Sequence, residues 1–169
     1  MTGPLDGFKI LDLTQVVSGP LATMLLADQG ADVLKVEPVD GLGDMTRLPS
    51  FDKGGIGAFY MNNNRGKNSL SLDLSKEEGV EIIRELAKTT DVFVQNFRPG
   101  AIDRMGLGYE QLSAINPNLI YVSISGFGPH WPILQPTSSR SCHPGNLWSN
   151  QSPTESSNTF PRFGQKSLC

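Results

Sequence analysis

Apolar positions recur along most of the chain with two alternating periods. Phe8-Lys-Ile-Leu-Asp-Leu-Thr14, after Gly7, is a short β-rich run. Val16 to Pro20 reads as a turn, with Ser18 a candidate N-cap and Pro20 at an early helical position. Leu21, Met24, Leu25 and Ala27 then recur at helical spacing until Gly30. Asp32 to Glu37 predicts the next strand, ended by Pro38. A strand–helix–strand unit of about 30 residues implies a parallel pair joined by a crossover. Glycines at 41, 43, 54, 55 and 57 predict a long irregular loop over 39–61.

The second half repeats the alternation. Ser69 to Leu74 has period 2 and predicts a strand. Ser75-Lys-Glu-Glu78 fits a capping box, and Val80, Ile82, Ile83 and Leu86 mark the inward face of the helix that follows. Asp91 to Phe97 predicts a strand, and a Pro99-Gly100 turn launches a short helix. Tyr109–Ile115 predicts another helix and Leu119 to Ser125 another strand. This order predicts an α/β fold with a Rossmann-like, mostly parallel, doubly wound sheet.

Composition changes this picture at one place. The chain has 169 residues, 38% hydrophobic and 18% charged, which fits one globular domain. No apolar run is long enough for a membrane span, the N-terminus lacks signal-peptide character, and a net charge of −3 argues against nucleic acid. Both Trp, both His and both Cys, however, lie after Pro129. The expected organisation is therefore a domain over 1–129 and a tail over 130–169 with no selected core pattern. Cys142 and Cys169 have no metal-site or disulfide spacing, and the Cys-free first part predicts a cytoplasmic protein.

Two polar clusters carry candidate chemistry. Asn62-Asn-Asn64-Arg65-Gly66-Lys67 precedes a strand; Arg65 as a fork and Lys67 as a point charge suit phosphate, with a solvated polar loop as the plainer reading. Asn96-Phe97-Arg98 follows the carboxyl end of a strand, where open α/β sheets bind ligands. Arg98 suits a phosphate and Phe97 a stacked base, against an ordinary exposed turn. Arg104 sits on the short helix behind. Val17-Ser18-Gly19-Pro20 is not G-x-G-x-x-G, and Pro20 lacks an amide, which discounts a nicotinamide or flavin site. Asp12, late in the first strand, reads as a local hydrogen-bonding group. Glu77, Glu78, Glu81 and Glu85 read as a wet helix face.

Taken in order, these segments resemble the class III CoA-transferase family, the group of formyl-CoA transferase, carnitine CoA-transferase and α-methylacyl-CoA racemase. The resemblance rests on Gly7 to Thr14, Ser18-Gly19-Pro20, Leu26 to Pro38, Gly43-Asp44, Asn64 to Lys67, Asn96 to Gly100, Leu107 to Tyr109, Ile115 to Pro117 and Ser123 to Pro129. It implies a Rossmann-like CoA-binding domain, acyl-CoA and carboxylate substrates, no metal, and an interlocked homodimer of the intact protein. It carries a CoA-binding role onto Asn64, Arg65, Lys67, Asn96, Phe97, Arg98 and Arg104. Val17 departs from relatives with Gln there. In the family a single Asp attacks the donor thioester. That residue is expected after Gly126-Phe127-Gly128-Pro129, and no Asp occurs after Asp103. No catalytic residue is therefore assigned in this chain.

The genetic code offers a reason. Translating the codons from residue 130 onward one base later forces Gly from Trp131–Pro132 and again from Trp148–Ser149. It permits Asp from Arg140–Ser141 and Gln from Pro144–Gly145, at the family's spacing. The expectation is a shifted reading frame; a divergent extension is the alternative. By resemblance the function is transfer of CoA between acyl-CoA and a carboxylic acid. A racemase using His130, or an inactive CoA-binding fragment, are the alternatives.

Overall fold

The computed structural model describes residues 3–39, 41, 43–47, 52–53 and 56–126. β1 (Lys9–Asp12), α1 (Ser18–Asp28) and β2 (Asp32–Pro38) open the chain. A 3-10 turn (Met45–Arg47), an antiparallel ribbon of β3 (Asp52–Lys53) and β4 (Ile56–Gly57), and α2 (Ala58–Asn64) follow. Then come β5 (Asn68–Leu72), α3 (Glu77–Ala87), β6 (Val92–Gln95), α4 (Ala101–Arg104), α5 (Tyr109–Ile115) and β7 (Ile120–Ser123). Five strands form one sheet in the order β5-β2-β1-β6-β7, and every neighbouring pair is parallel. The fold is α/β and Rossmann-like, as the alternation predicts. The chain starts at the centre, winds outward through β2 and β5, then returns to β6 beside β1. That reversal is the topological switch point, where such sheets bind ligands beyond the carboxyl ends.

The sheet is covered on both faces, but by different chemistry. On one face Leu11, Leu13, Val36 and Phe93 pack with Val80, Ile83 and Ala87 of α3, Ile102 of α4 and Leu112 of α5. Phe93 stacks on Tyr121 at 5.1 Å between ring centroids. On the other face Ile10, Val33 and Val94 pack against Leu26 and Ala27 of α1. Continuing along the same strands, that second face turns ionic at its carboxyl end: Asp12, Lys35 and Glu37 are all buried.

Close approach fixes two glycines. A Cβ on Gly19 would lie 2.3 Å from the Thr14 side chain, and one on Gly79 would lie 2.1 Å from the Asp73 carbonyl oxygen. Both helices, α1 and α3, are thus seated directly on the turn that precedes them.

Several expectations need correction. The stretch 39–61 is not one irregular loop: it holds the 3-10 turn, the ribbon and most of α2. Asn62 to Asn64 are helical, and the Asn63 and Asn64 side-chain amides donate to the Phe59 and Tyr60 carbonyls. Buried amides facing back onto their own helix leave no apolar period to read. The Ser75 capping box does not form. Ser75 N–H and Oγ both donate to Asp73 Oδ1, an Asx-type turn in which a carboxylate two residues upstream outcompetes the helix. Ser18 lies inside α1 and makes no side-chain cap. On α3 the buried stripe is Val80, Ile83 and Ala87, whereas Ile82 is 43% exposed. Of the five strands read from the pattern, β1, β6 and β7 are shorter than expected at both ends, β5 begins one residue earlier and ends at Leu72, and β2 runs on to Pro38.

Candidate functional site

The loop leaving β1 at the switch point is held by side chains from four directions. Asp12 Oδ1 accepts the Thr14 N–H at 2.9 Å and the Thr14 hydroxyl. Lys35 Nζ, from β2, donates to the Thr14 carbonyl at 2.8 Å. Asn96, just past β6, pairs with Gln15 through both ends of its amide: Oδ1 accepts the Gln15 N–H at 2.9 Å and Nδ2 donates to the Gln15 carbonyl at 2.8 Å. The Val16 N–H reaches the Asp44 carboxylate at 3.3 and 3.4 Å. Val16 itself has φ +73°, a left-handed backbone that a β-branched residue adopts only under constraint.

Behind the loop, β2 and the segment after it interlock through two ion pairs. Lys35 Nζ meets Asp44 Oδ2 at 3.0 Å, with both side chains fully buried. Glu37 takes a bidentate grip from Arg47, 2.7 Å on each oxygen, and also accepts from the Tyr60 hydroxyl, the Ser69 hydroxyl and the Asp44 N–H. The Arg47 guanidinium lies 3.8 Å above the Tyr60 ring. Burial pushes the Glu37 carboxyl up, but the hydrogen bonds from Arg47, Tyr60, Asp44 N–H and Ser69 outweigh it and bring it down to about 2. Burial, then Glu37 beside it, pushes the Tyr60 phenol up. Glu37 therefore stays an anion and Tyr60 a neutral donor.

The residues expected from the sequence separate into two groups. Lys67 is not a free cation. Its Nζ donates to Asp12 Oδ2 at 3.0 Å, to the Pro20 carbonyl and to Asn64 Oδ1, with 2% of its side chain exposed. Burial draws its pKa down, against the opposing pull of Asp12. Asp12 also accepts from Thr23, so it ties β1, α1 and the residue just before β5 together. Asn64 is spent on Lys67 and its own helix. Arg65 is exposed and paired with Asp28 of α1. Asn96 is committed to Gln15.

Phe97, Arg98 and Arg104 remain near the switch point without such commitments. Phe97 is half-buried against the apolar face, its N–H donating to Gln95 Oε1 at 2.8 Å, and Arg98 and Arg104 are exposed. A cleft of about 210 Å³ opens at the carboxyl ends of the strands. Its walls are Gln15, Glu37, Asp73, Ser75, Phe97 and Met105, over a floor that includes Leu13, Val36 and Leu72. An apolar floor, one aromatic side wall and a rim of carboxylate, amide and hydroxyl groups suit a flat heterocycle bearing N–H donors. The sequence reading missed this cleft apart from Phe97. It also missed Asp44, Glu37 and Arg47. The only available signal for them was the charge pattern of Lys35-Val-Glu37 against Asp44 to Arg47. His130 and the Arg140–Ser141 position lie outside the described residues.

Comparison with known proteins bears on the whole described region. The family model for CoA-transferase family III matches residues 5–150. Human succinyl-CoA:glutarate CoA-transferase is 50% identical over 134 residues, covering 78% of this chain. Formyl-CoA:oxalate CoA-transferase of Rhodopseudomonas palustris (strain BisA53) is 49% identical over 130 residues, covering 76%. The chain spans 30% of the length of each of these relatives. Among solved structures, a CAIB/BAIF family protein from Brucella suis superposes with a TM-score of 0.74 at 43% identity, over 79% of this chain and 36% of that one.

Proposed function

The chain belongs to CoA-transferase family III, and from that membership we propose that it is the CoA-binding part of an enzyme moving coenzyme A from an acyl-CoA to a carboxylic acid. The observation that carries the reading is the cleft at the switch point, with an aromatic wall at Phe97 and exposed guanidinium groups at Arg98 and Arg104 on the adjoining segment. The adenine of CoA fits between Phe97, Met105 and the Asp73–Ser75 turn. Arg98 and Arg104 supply charge for its phosphates. Asn64, Lys67 and Asn96 support the site from behind by holding β1, α1 and β5 in place, and Arg65 ties α1 to the end of α2. Both relatives' names pair a CoA thioester with a dicarboxylic acid, so we propose a small dicarboxylate as acceptor.

The transfer itself needs a carboxylate nucleophile. It attacks the thioester carbonyl and expels CoA thiolate, leaving a mixed anhydride. The thiolate then attacks the enzyme's acyl carbon, giving an enzyme-CoA thioester and free donor carboxylate. The acceptor carboxylate repeats both steps in reverse. Asp12, Asp44 and Glu37 are excluded from this role because their oxygens are held by Lys67, Lys35 and Arg47. The absence of Asp after Asp103 favours a second reading, a CoA-binding chain without catalysis. We propose that 130–169 is read out of frame, and that the native frame encodes the nucleophile at codons 140–141. An interlocked homodimer and a cytoplasmic setting belong to the same proposal. Among the described residues no helix is long and apolar enough to cross a membrane.

Calorimetric titration of the 169-residue chain with CoA tests the binding half. Phe97→Ala should weaken binding about tenfold, the worth of one base–aromatic stack. No heat from wild type, or equal affinity in the variant, removes the cleft as the site. Sequencing the gene around codon 130 and assaying the frame-restored protein test the catalytic half. Transfer that survives replacement of the restored Asp by Ala rules out that nucleophile.

A further inference from the structure

Every backbone polar atom from Thr14 N–H to Val16 N–H is taken by a side chain, and none of those side chains belongs to a neighbouring turn of the same loop. Asp12, Lys35, Asn96 and Asp44 come from β1, β2, the end of β6 and the turn after β2. Gln15 is at once the residue gripped at both backbone ends by Asn96 and a wall of the cleft. Asn96 in turn precedes Phe97, another wall of the same cleft. Between these grips sits Val16 at φ +73°. A valine relaxes out of that region unless its surroundings over-determine it. Stability alone is better served by a glycine there.

We infer that Lys35, Asp44 and Asn96 are positioning residues for the CoA cleft: they hold the β1–α1 loop in the left-handed conformation that sets Gln15 in the cleft wall it shares with Phe97. The inference rests on the CoA-binding reading of that cleft. Lys35 and Asp44 act together. The Lys35 ammonium pulls the Thr14 carbonyl one way, while the Asp44 carboxylate, oriented by Lys35, Thr46 N–H and Thr46 Oγ1, pulls the Val16 N–H the other. The peptide units between are wrung into the positive-φ turn. Asn96 then locks Gln15 as a two-bond amide pair across the switch point.

The test sets stability against affinity at one residue. Val16→Gly removes the strain, so its Tm should rise by about 2–6 °C. It also frees the loop to leave the clasped conformation, so CoA should bind about fivefold more weakly or worse, the preorganisation lost. A residue with a merely structural role moves both readouts the same way. Val16→Ala is the control: it keeps a Cβ and the strained backbone, and should bind CoA within about twofold of wild type. If Val16→Gly binds as tightly as wild type, or if Val16→Ala loses as much affinity as Val16→Gly, the positioning role is overturned while CoA binding stands. If wild type itself binds no CoA, the reading of the cleft falls first, and this inference with it.

Discussion

The two faces of this sheet are built on opposite principles. The face under α3, α4 and α5 is held by apolar packing around Phe93, Ile83 and Leu112, all at 0% exposure. The carboxyl half of the other face is held by Asp12–Lys67, Lys35–Asp44 and Glu37–Arg47. Packing is tolerant of direction, so the first face can absorb small shifts by repacking. Ion pairs and hydrogen bonds specify angle and distance, so the second face fixes where the β1–α1 loop sits. The cleft has its floor on the apolar face, at Leu13, Val36 and Leu72, while the backbone around Gln15 in its wall is held partly from the directional face, through Lys35 and Asp44.

This contrast makes predictions. The largest effect should follow breaking one buried pair. Asp44→Asn leaves the Lys35 ammonium buried without a carboxylate and should cost about 3–5 kcal/mol in urea unfolding. The double replacement Lys35→Met with Asp44→Leu should recover most of that loss, because no charge is left stranded. If the double is worse than the single, the ionic face is not organised by mutual neutralisation.

On the apolar face, Ile83→Ala should cost about 2–5 kcal/mol. There a second truncation at Leu112, which belongs to the same core, should make matters worse, never better. Recovery by that second change would erase the distinction between the faces.

Acid sharpens the contrast further. The Glu37 carboxyl sits at about 2 in the folded chain, below its ordinary 4.5. A depressed acid contributes stability that is fully present above the unfolded value and is lost as pH falls toward the folded one. Between about pH 4.5 and 2 the wild type should therefore lose on the order of 3 kcal/mol that Glu37→Gln does not lose. Parallel acid-unfolding curves for the two proteins would contradict this. The smallest effect belongs to Arg65→Ala. Its pair with Asp28 is exposed, and its removal should change stability by less than about 1 kcal/mol.

The same contrast explains what the sequence displays and what it conceals. α5 falls where the spacing puts it, Tyr109–Ile115, and the β/α order is legible throughout, because apolar burial leaves a period. Lys35 and Glu37 mislead. Alternating with Leu34 and Val36 they suggest a strand face that turns wet beyond Val33, yet both are buried. What holds them is Asp44, Arg47 and Tyr60, whose grip is polar and leaves no period. Lys67 illustrates the limit for the site. A cation beside glycine suits a phosphate in sequence, but only the fold brings Asp12, 55 positions away, within 3.0 Å. The place of Phe97 in the cleft wall follows from the strand end that precedes it. That of Val16 does not, because its conformation is imposed by residues from three other segments.

The position of the polar network along the chain has a consequence for synthesis. Asp12, Lys35, Glu37, Asp44, Arg47, Tyr60, Lys67 and Ser69 all lie within the first 69 residues, and β5, β2 and β1 form a contiguous three-strand block ending at Leu72. The ionic face is therefore complete in a nascent chain before β6 has been made. The apolar face is not, since α3, β6, α4 and α5 come later. At about 5–20 residues per second, several seconds separate the two events at the slower rates. In that interval the uncovered side of the block presents Leu11, Leu13 and Val36 to whatever is near the ribosome exit. Stalled chains long enough to bring residue 72 clear of the ribosome tunnel, but with β6 still inside it, should bind holdase chaperones strongly. Chains extended past β7 should release them. Equal binding at both lengths would mean that the ionic half does not assemble ahead of the rest.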